Sequence, residues 1–188
     1  MTPQEAAKRR LSAGRLRHVE GVVQTACDLA RRFGANIEKA QTAAWLHDLY
    51  REESPATMRV LAGEVGFVLP AGPPKTWHGP LCAALMMREF GIEDTEIRDA
   101  VAYHTVGNPT MPLLARVLYV ADAIEPGRDY PAVALLRETA QTDLTLALAR
   151  CADDAIAHLL SQQVDVSLVT VDMRNRAYTE WRSRSVDL

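Results

Sequence analysis

Apolar residues recur in this chain at steps of three and four, and that spacing does more than any other feature to limit what the chain can fold into. Leu16, Val19, Val22 or Val23, Ala26, Leu29 or Ala30 and Phe33 make one stripe, which predicts a helix with a single buried face ending at Gly34. A second helix is expected from Asn36 to Tyr50, with Asn36 as N-cap and Glu38 near the positive end of the helix dipole. Ser54 and Pro55 open a third, which Gly66 closes. Turn formers crowd Leu69 to Lys75, and the helical period resumes over Trp77 to Phe90, Asp94 to His104 and Met111 to Ile124. The nearest approach to strand alternation, Val164 to Val166, is too short to anchor a sheet. The expectation is all-α: helices packed pairwise around one core, in a single domain spanning residues 1–188.

A chain of 188 residues can bury roughly 70% of its unfolded surface, so the core needs no covalent staples. Its three cysteines, Cys27, Cys82 and Cys151, are odd in number and scattered, as free thiols in a reducing compartment would be. The basic N-terminus runs into no apolar signal region, and no stretch reaches the ~18 uninterrupted apolar residues of a membrane span. A cytoplasmic protein without a membrane partner is expected. The formal net charge of −3 argues against general nucleic-acid binding, while leaving room for a local basic pocket.

Against this apolar background the polar residues stand out. His47 and Asp48 lie side by side in a mostly apolar run, and a buried unpaired carboxylate costs several kcal/mol, so the pair either faces water or is compensated inside. His18 adjoins the first stripe, and Asp122 interrupts a strongly apolar helix between small alanines. His78 starts a helix, His104 ends one, and His158 has no such context. Two imidazoles and two carboxylates from three helices match the nitrogen and oxygen donors favoured by iron, manganese, cobalt or zinc. On such an ion a bound water loses a proton near neutral pH, and a phosphoryl oxygen is polarised. The plainer alternatives stay open at this point. His18 can be an ordinary hydrogen-bonded histidine, and Asp122 can be the ion-pair partner of Arg116 or Arg128.

The order His18, then His47-Asp48, then Asp122 in an all-helical chain resembles the pattern of HD-domain metal-dependent phosphohydrolases. The surroundings narrow the resemblance: Arg15-Leu16-Arg17-His18, Leu46-His47-Asp48, His78-Gly79-Pro80, Tyr103-His104-Thr105 and the run from Tyr119 to Asp129. Together, over about residues 11–180, they are similar to the symmetrical bis(5′-nucleosyl)-tetraphosphatase family. The resemblance implies hydrolysis of diadenosine tetraphosphate to two ADP by attack of a metal-bound hydroxide. One divalent or trivalent ion, iron foremost with manganese, cobalt, zinc or magnesium as other candidates, is implied to sit on His18, His47, Asp48 and Asp122. Arg15, His78, His104, Thr105, Arg128 and Thr170 are implied to hold the nucleotide, with Asp48, His78 and His104 taking part in catalysis. A homodimer is compatible with the resemblance.

Two points stay open. His78 and His104 either meet phosphate oxygens, one of them protonating the leaving ADP, or bind a second ion; the first is favoured because no further bridging carboxylate stands out nearby. The family's His-Pro-Asp-Thr stretch is replaced by Ser167-Leu168-Val169-Thr170, so base and ribose recognition by Asp165 to Thr170 is expected to differ from the family's. Other readings of the whole are a mononucleotide phosphatase of the same superfamily and a helical nucleotide-sensing module without turnover.

Overall fold

The computed structural model describes residues 1–186, and among them the only regular elements are ten α-helices and a 3-10 turn. They are α1 (Pro3–Arg10), α2 (Ala13–Phe33), α3 (Ile37–Leu46), α4 (Pro55–Glu64), α5 (His78–Phe90), α6 (Thr95–Tyr103), α7 (Leu113–Ile124), α8 (Val133–Ala140), α9 (Leu144–Ser161) and α10 (Leu168–Val186), with the 3-10 turn at Pro74–Thr76. The chain is all-α, as its periodicity predicts.

Local chemistry accounts for most of the helix ends. Asn36 accepts the Lys39 N–H, Ser54 accepts that of Thr57, and Gly34 closes α2 with a φ of +78°. The third helix runs shorter than the apolar pattern suggests. It stops at Leu46, and residues 47–52 continue as turns in which the Leu49 amide bonds the Leu46 carbonyl and the Arg51 amide that of Asp48. Tyr50 therefore lies outside the helix. Its hydroxyl instead accepts from Arg10 at 3.0 Å and donates to Glu89, tying α1 to the body.

The stripe on α2 buries Val19, Val22, Ala26, Leu29 and Ala30 against α3 and α7. Burial of each larger side chain contributes roughly 1.5–3 kcal/mol. The seventh helix is the most enclosed, with Leu114, Ala115, Val117, Leu118, Tyr119, Val120, Ala121 and Ile124 all buried, and it touches α2, α3, α6, α8 and α9. The fifth helix packs on α6, and α10 closes over α9. Those contacts bring the start of α2, the end of α3, the start of α5 and the ends of α6 and α7 to one region.

Candidate metal centre

Four imidazoles and two carboxylates meet where those helix ends converge. His47 and His104 follow the last turns of α3 and α6, His78 opens α5, and His18 lies within the first two turns of α2. All four rings meet edge to face, with centroids 5.5 Å apart for His18 and His47, 5.0 Å for His47 and His104, and 4.9 Å for His78 and His104. The last contact depends on Gly79. A Cβ there would lie 2.6 Å from the Val101 carbonyl oxygen and 2.9 Å from His104 Cε1, so only a glycine lets α5 and α6 come this close.

Each ring is fixed through Nδ1. His47 Nδ1 meets the Ala44 carbonyl at 2.7 Å, His78 Nδ1 that of Lys75 at 3.0 Å and His104 Nδ1 that of Val101 at 2.8 Å. A carbonyl oxygen only accepts, so Nδ1 carries the proton in all three and Nε2 faces the centre of the cluster. There, Nε2 of His18 comes within 3.1 Å of Asp122 Oδ1 and Nε2 of His47 within 3.6 Å of Asp48 Oδ2. Neither nitrogen has a hydrogen-bond partner although both are buried. Buried nitrogens facing carboxylate oxygens without a hydrogen bond form a donor set that fits a cation.

Asp48 reaches both sides of the cluster. Its Oδ2 accepts from Arg15 Nη1 at 2.8 Å and faces His18 at 3.7 Å, while Oδ1 lies 3.1 Å from His78 Nε2 and 3.7 Å from His104 Nε2. Burial alone would raise its pKa, but His47, His104 and His78 outweigh that and hold the carboxyl well below the ordinary range. His78 is pushed down to about 4, chiefly by burial. His104 moves up, because the Asp48 contact overcomes the effect of its burial. Nε2 of His78 and Nε2 of His104 are only 3.0 Å apart, with Thr105 Oγ1 at 3.3 and 3.0 Å. Two neutral rings would set lone pair against lone pair, so a shared proton or a cation belongs between them. The bridging carboxylate that the sequence did not reveal here is Asp48 itself: ligand atoms of His18, His47 and Asp48 lie within 4.8 Å of one another, and so do those of Asp48, His78 and His104.

Asp122 stands just outside the tighter group. Its Oδ1 accepts from Arg128 Nη2 at 2.7 Å, and its carbonyl accepts from Arg128 Nε at 2.9 Å. Its pKa is strongly lowered: burial works against this, but His18, His47 and Arg128 prevail. Of the two arginines weighed for Asp122, Arg128 is therefore the partner, and Arg116 bonds Glu180. Thr170 Oγ1 donates to the Val106 carbonyl at 2.7 Å, which commits its proton to holding α10 against the turn after α6.

A groove of about 920 Å³ begins beside this cluster, at Thr105. Phe67, Val68, Pro70 and Tyr103 line it, with Arg51, Lys75 and Arg98 as cations, and Asp165, Val166, Ser167, Val169 and Thr170 form part of its wall. His158, unremarkable by sequence, lies at its surface. Neither those groove cations nor Glu125 stand out in the sequence, although the Glu125 carboxylate is buried and sits 3.1 Å from His18 Nδ1.

Comparison with known proteins places the chain in a family. The HD domain family model matches residues 15–127, which hold all six cluster residues. A symmetrical bis(5′-nucleosyl)-tetraphosphatase of Bacillus subtilis is 40% identical, over 85% of this chain and 87% of that protein. Its namesake in Halalkalibacterium halodurans is 34% identical, over 94% and 95%. A crystal structure from Clostridium acetobutylicum, of a protein described as a predicted HD superfamily hydrolase involved in NAD metabolism, superposes with a TM-score of 0.89 at 29% identity, over 95% and 96% of the two chains. The chain thus belongs to the HD-domain family of metal-dependent phosphohydrolases, within the group of symmetrical bis(5′-nucleosyl)-tetraphosphatases.

Proposed function

We propose that this hydrolase cleaves diadenosine tetraphosphate, or a related dinucleoside tetraphosphate, at the central bridge to give two ADP. The observation that carries the reading is the buried imidazole and carboxylate cluster at the end of a groove whose volume suits a nucleoside diphosphate half. His18, His47, Asp48 and Asp122 would hold one ion, with iron the metal that the family resemblance favours. When bound, it would polarise a phosphoryl oxygen and acidify water near neutral pH.

The remaining steps belong to the chain. Arg15 and Arg128 already touch the two carboxylates, so both guanidinium groups stand where charge builds up on a phosphoryl group in flight. His104 and His78 are the candidates for giving a proton to departing ADP, and Thr105, 3.0 Å from His104 Nε2, links His104 to the groove. Holding one nucleoside half at a set distance from the cluster selects the central bond. Asp165 to Thr170, where the sequence departs from the family stretch it resembles, contributes to the groove wall, so base preference is where this protein would differ from its relatives.

The test is chromatography of products from diadenosine tetraphosphate with protein purified without chelator, alongside metal analysis. ADP as the sole product, lost in Asp48→Ala and Asp122→Ala together with the metal, is the expected result. ATP plus AMP, phosphate released from dAMP, cleavage of NAD in place of the tetraphosphate, or dinucleotide binding without turnover would overturn it. One equivalent of metal leaves His78 and His104 to the phosphates; two would assign them, with Asp48 Oδ1, to a second ion.

A further inference from the structure

His18 differs from the other three histidines in how its ring is held. His47 and His104 borrow carbonyls from the last turns of α3 and α6, where a helix leaves its carbonyl groups unpaired, and His78 borrows one from the 3-10 turn before α5. His18 is the sixth residue of α2, where the carbonyls one turn back are already taken up by the helix's own ladder. No neighbouring main-chain acceptor is left for its Nδ1. The partner comes from a distant part of the chain: Glu125 Oε1, at 3.1 Å, just past the end of α7.

We infer that Glu125 is a positioning residue that orients His18 and strengthens it as a metal ligand. The inference rests on the reading of His18 as part of the metal site. Three observations converge on this carboxylate. It is buried, with 4% exposure, so it keeps its charge away from water only by being fully bonded. Its second oxygen, Oε2, accepts the Gly127 N–H at 2.6 Å, which locks the carboxylate in the turn that also carries Arg128. Finally, α2 makes room for it: a Cβ at Gly21 would lie 2.5 Å from Oε2, 3.3 Å from Cδ and 3.4 Å from Pro126 Cδ.

With Oε1 accepting from Nδ1–H, the ring turns Nε2 toward Asp122 and Asp48, and the negative partner raises the electron density of that nitrogen. Glutamine cannot substitute. The groups facing the carboxylate are all donors, the His18 ring N–H, the Gly127 amide and, at 3.9 Å, Arg128 Nε, and a carboxamide has a single oxygen to offer.

The experiment is Co²⁺ binding to the whole protein, measured by competition with a chelating indicator and by the visible absorption of the bound ion. Glu125→Gln is expected to weaken Co²⁺ binding by about 10–100-fold and to alter the absorption spectrum. Gly21→Ala, which leaves the charge in place but pushes the carboxylate off His18, should act in the same direction, and it decides the matter if Glu125→Gln does not fold. A carboxylate that merely stitches the turn to α2 would lower thermal stability and leave affinity and spectrum unchanged, which overturns the inference while the metal site stands. Failure of the unaltered protein to bind Co²⁺ removes the metal reading and this inference with it.

Discussion

At the scale of single residues, burial decides which groups can react. Cys82 is enclosed, and its Sγ donates to the Leu46 carbonyl at 3.2 Å; burial pushes its thiol up strongly. Cys151 is pushed up to about 12 by the same cause. Thiolate is the reactive form, so neither is expected to alkylate in the native protein, and raising pH from 7 to 9 should change little at either position. Cys27 is only partly buried and should label first. Mass spectrometry after iodoacetamide treatment checks this, and native-state labelling of Cys82 or Cys151 as fast as Cys27 would contradict it. Asp48 shows the opposite use of burial. Its neighbours overcome the cost of enclosing a carboxylate, and its two oxygens serve two groups of histidines. That His47-Asp48 and Asp122 are candidates for a shared site could be read from their incongruity in apolar runs. Glu125 gave no such signal, since a glutamate directly after a helix ordinarily faces water.

At the scale of elements, the site is a consequence of where helices begin and end. A histidine at a terminus finds a free carbonyl for Nδ1 and presents Nε2; one within a helix must find its acceptor elsewhere. The close crossing of α5 and α6 at Gly79 is the most sensitive joint. In an isolated helix Gly→Ala is favourable by about 1 kcal/mol, but here the new methyl meets the main-chain carbonyl of Val101, which cannot swing aside. Gly79→Ala is therefore expected to destabilise the fold by about 1–3 kcal/mol and to separate His78 from His104. Denaturant unfolding measures the first effect, and lost turnover in the folded fraction the second. An unchanged midpoint would show that the helices slide apart at no cost. The apolar stripes indicated α2 and the central helices well, because period and punctuation agree there. Their ends were less legible: α3 stops at Leu46, where the main chain passes into turns and His47 and Asp48 are buried, although the apolar pattern runs on to Tyr50. Neither α1, held by a Thr2 capping box and the Arg10 tether, nor α8 to α10 stood out from the apolar pattern.

At the scale of the whole molecule, metal binding and folding should be coupled, because the proposed ligands His18, His47, Asp48 and Asp122 come from α2, the turn after α3 and α7. An ion that binds the folded state alone adds about 2.7 kcal/mol at a hundredfold excess over its Kd. For a chain of this size that corresponds to a rise in Tm of roughly 5–11 °C, reversed by chelator. A scanning-calorimetry comparison of metal-loaded and chelated protein checks it, and equal melting temperatures would mean that the cluster takes no ion. Among the described residues no helix is long and apolar enough to cross a membrane. The sequence by itself determined the helical class, the main stripes and the identity of the metal-binding candidates, because period, punctuation and side-chain chemistry are local properties of the chain. Only the tertiary structure decided that Asp48 bridges two histidine groups, that Arg128 rather than Arg116 holds Asp122, that the groove opens at Thr105 and that Glu125 backs His18. Those facts depend on distances between residues far apart in the chain, and such distances exist only once the helices have packed.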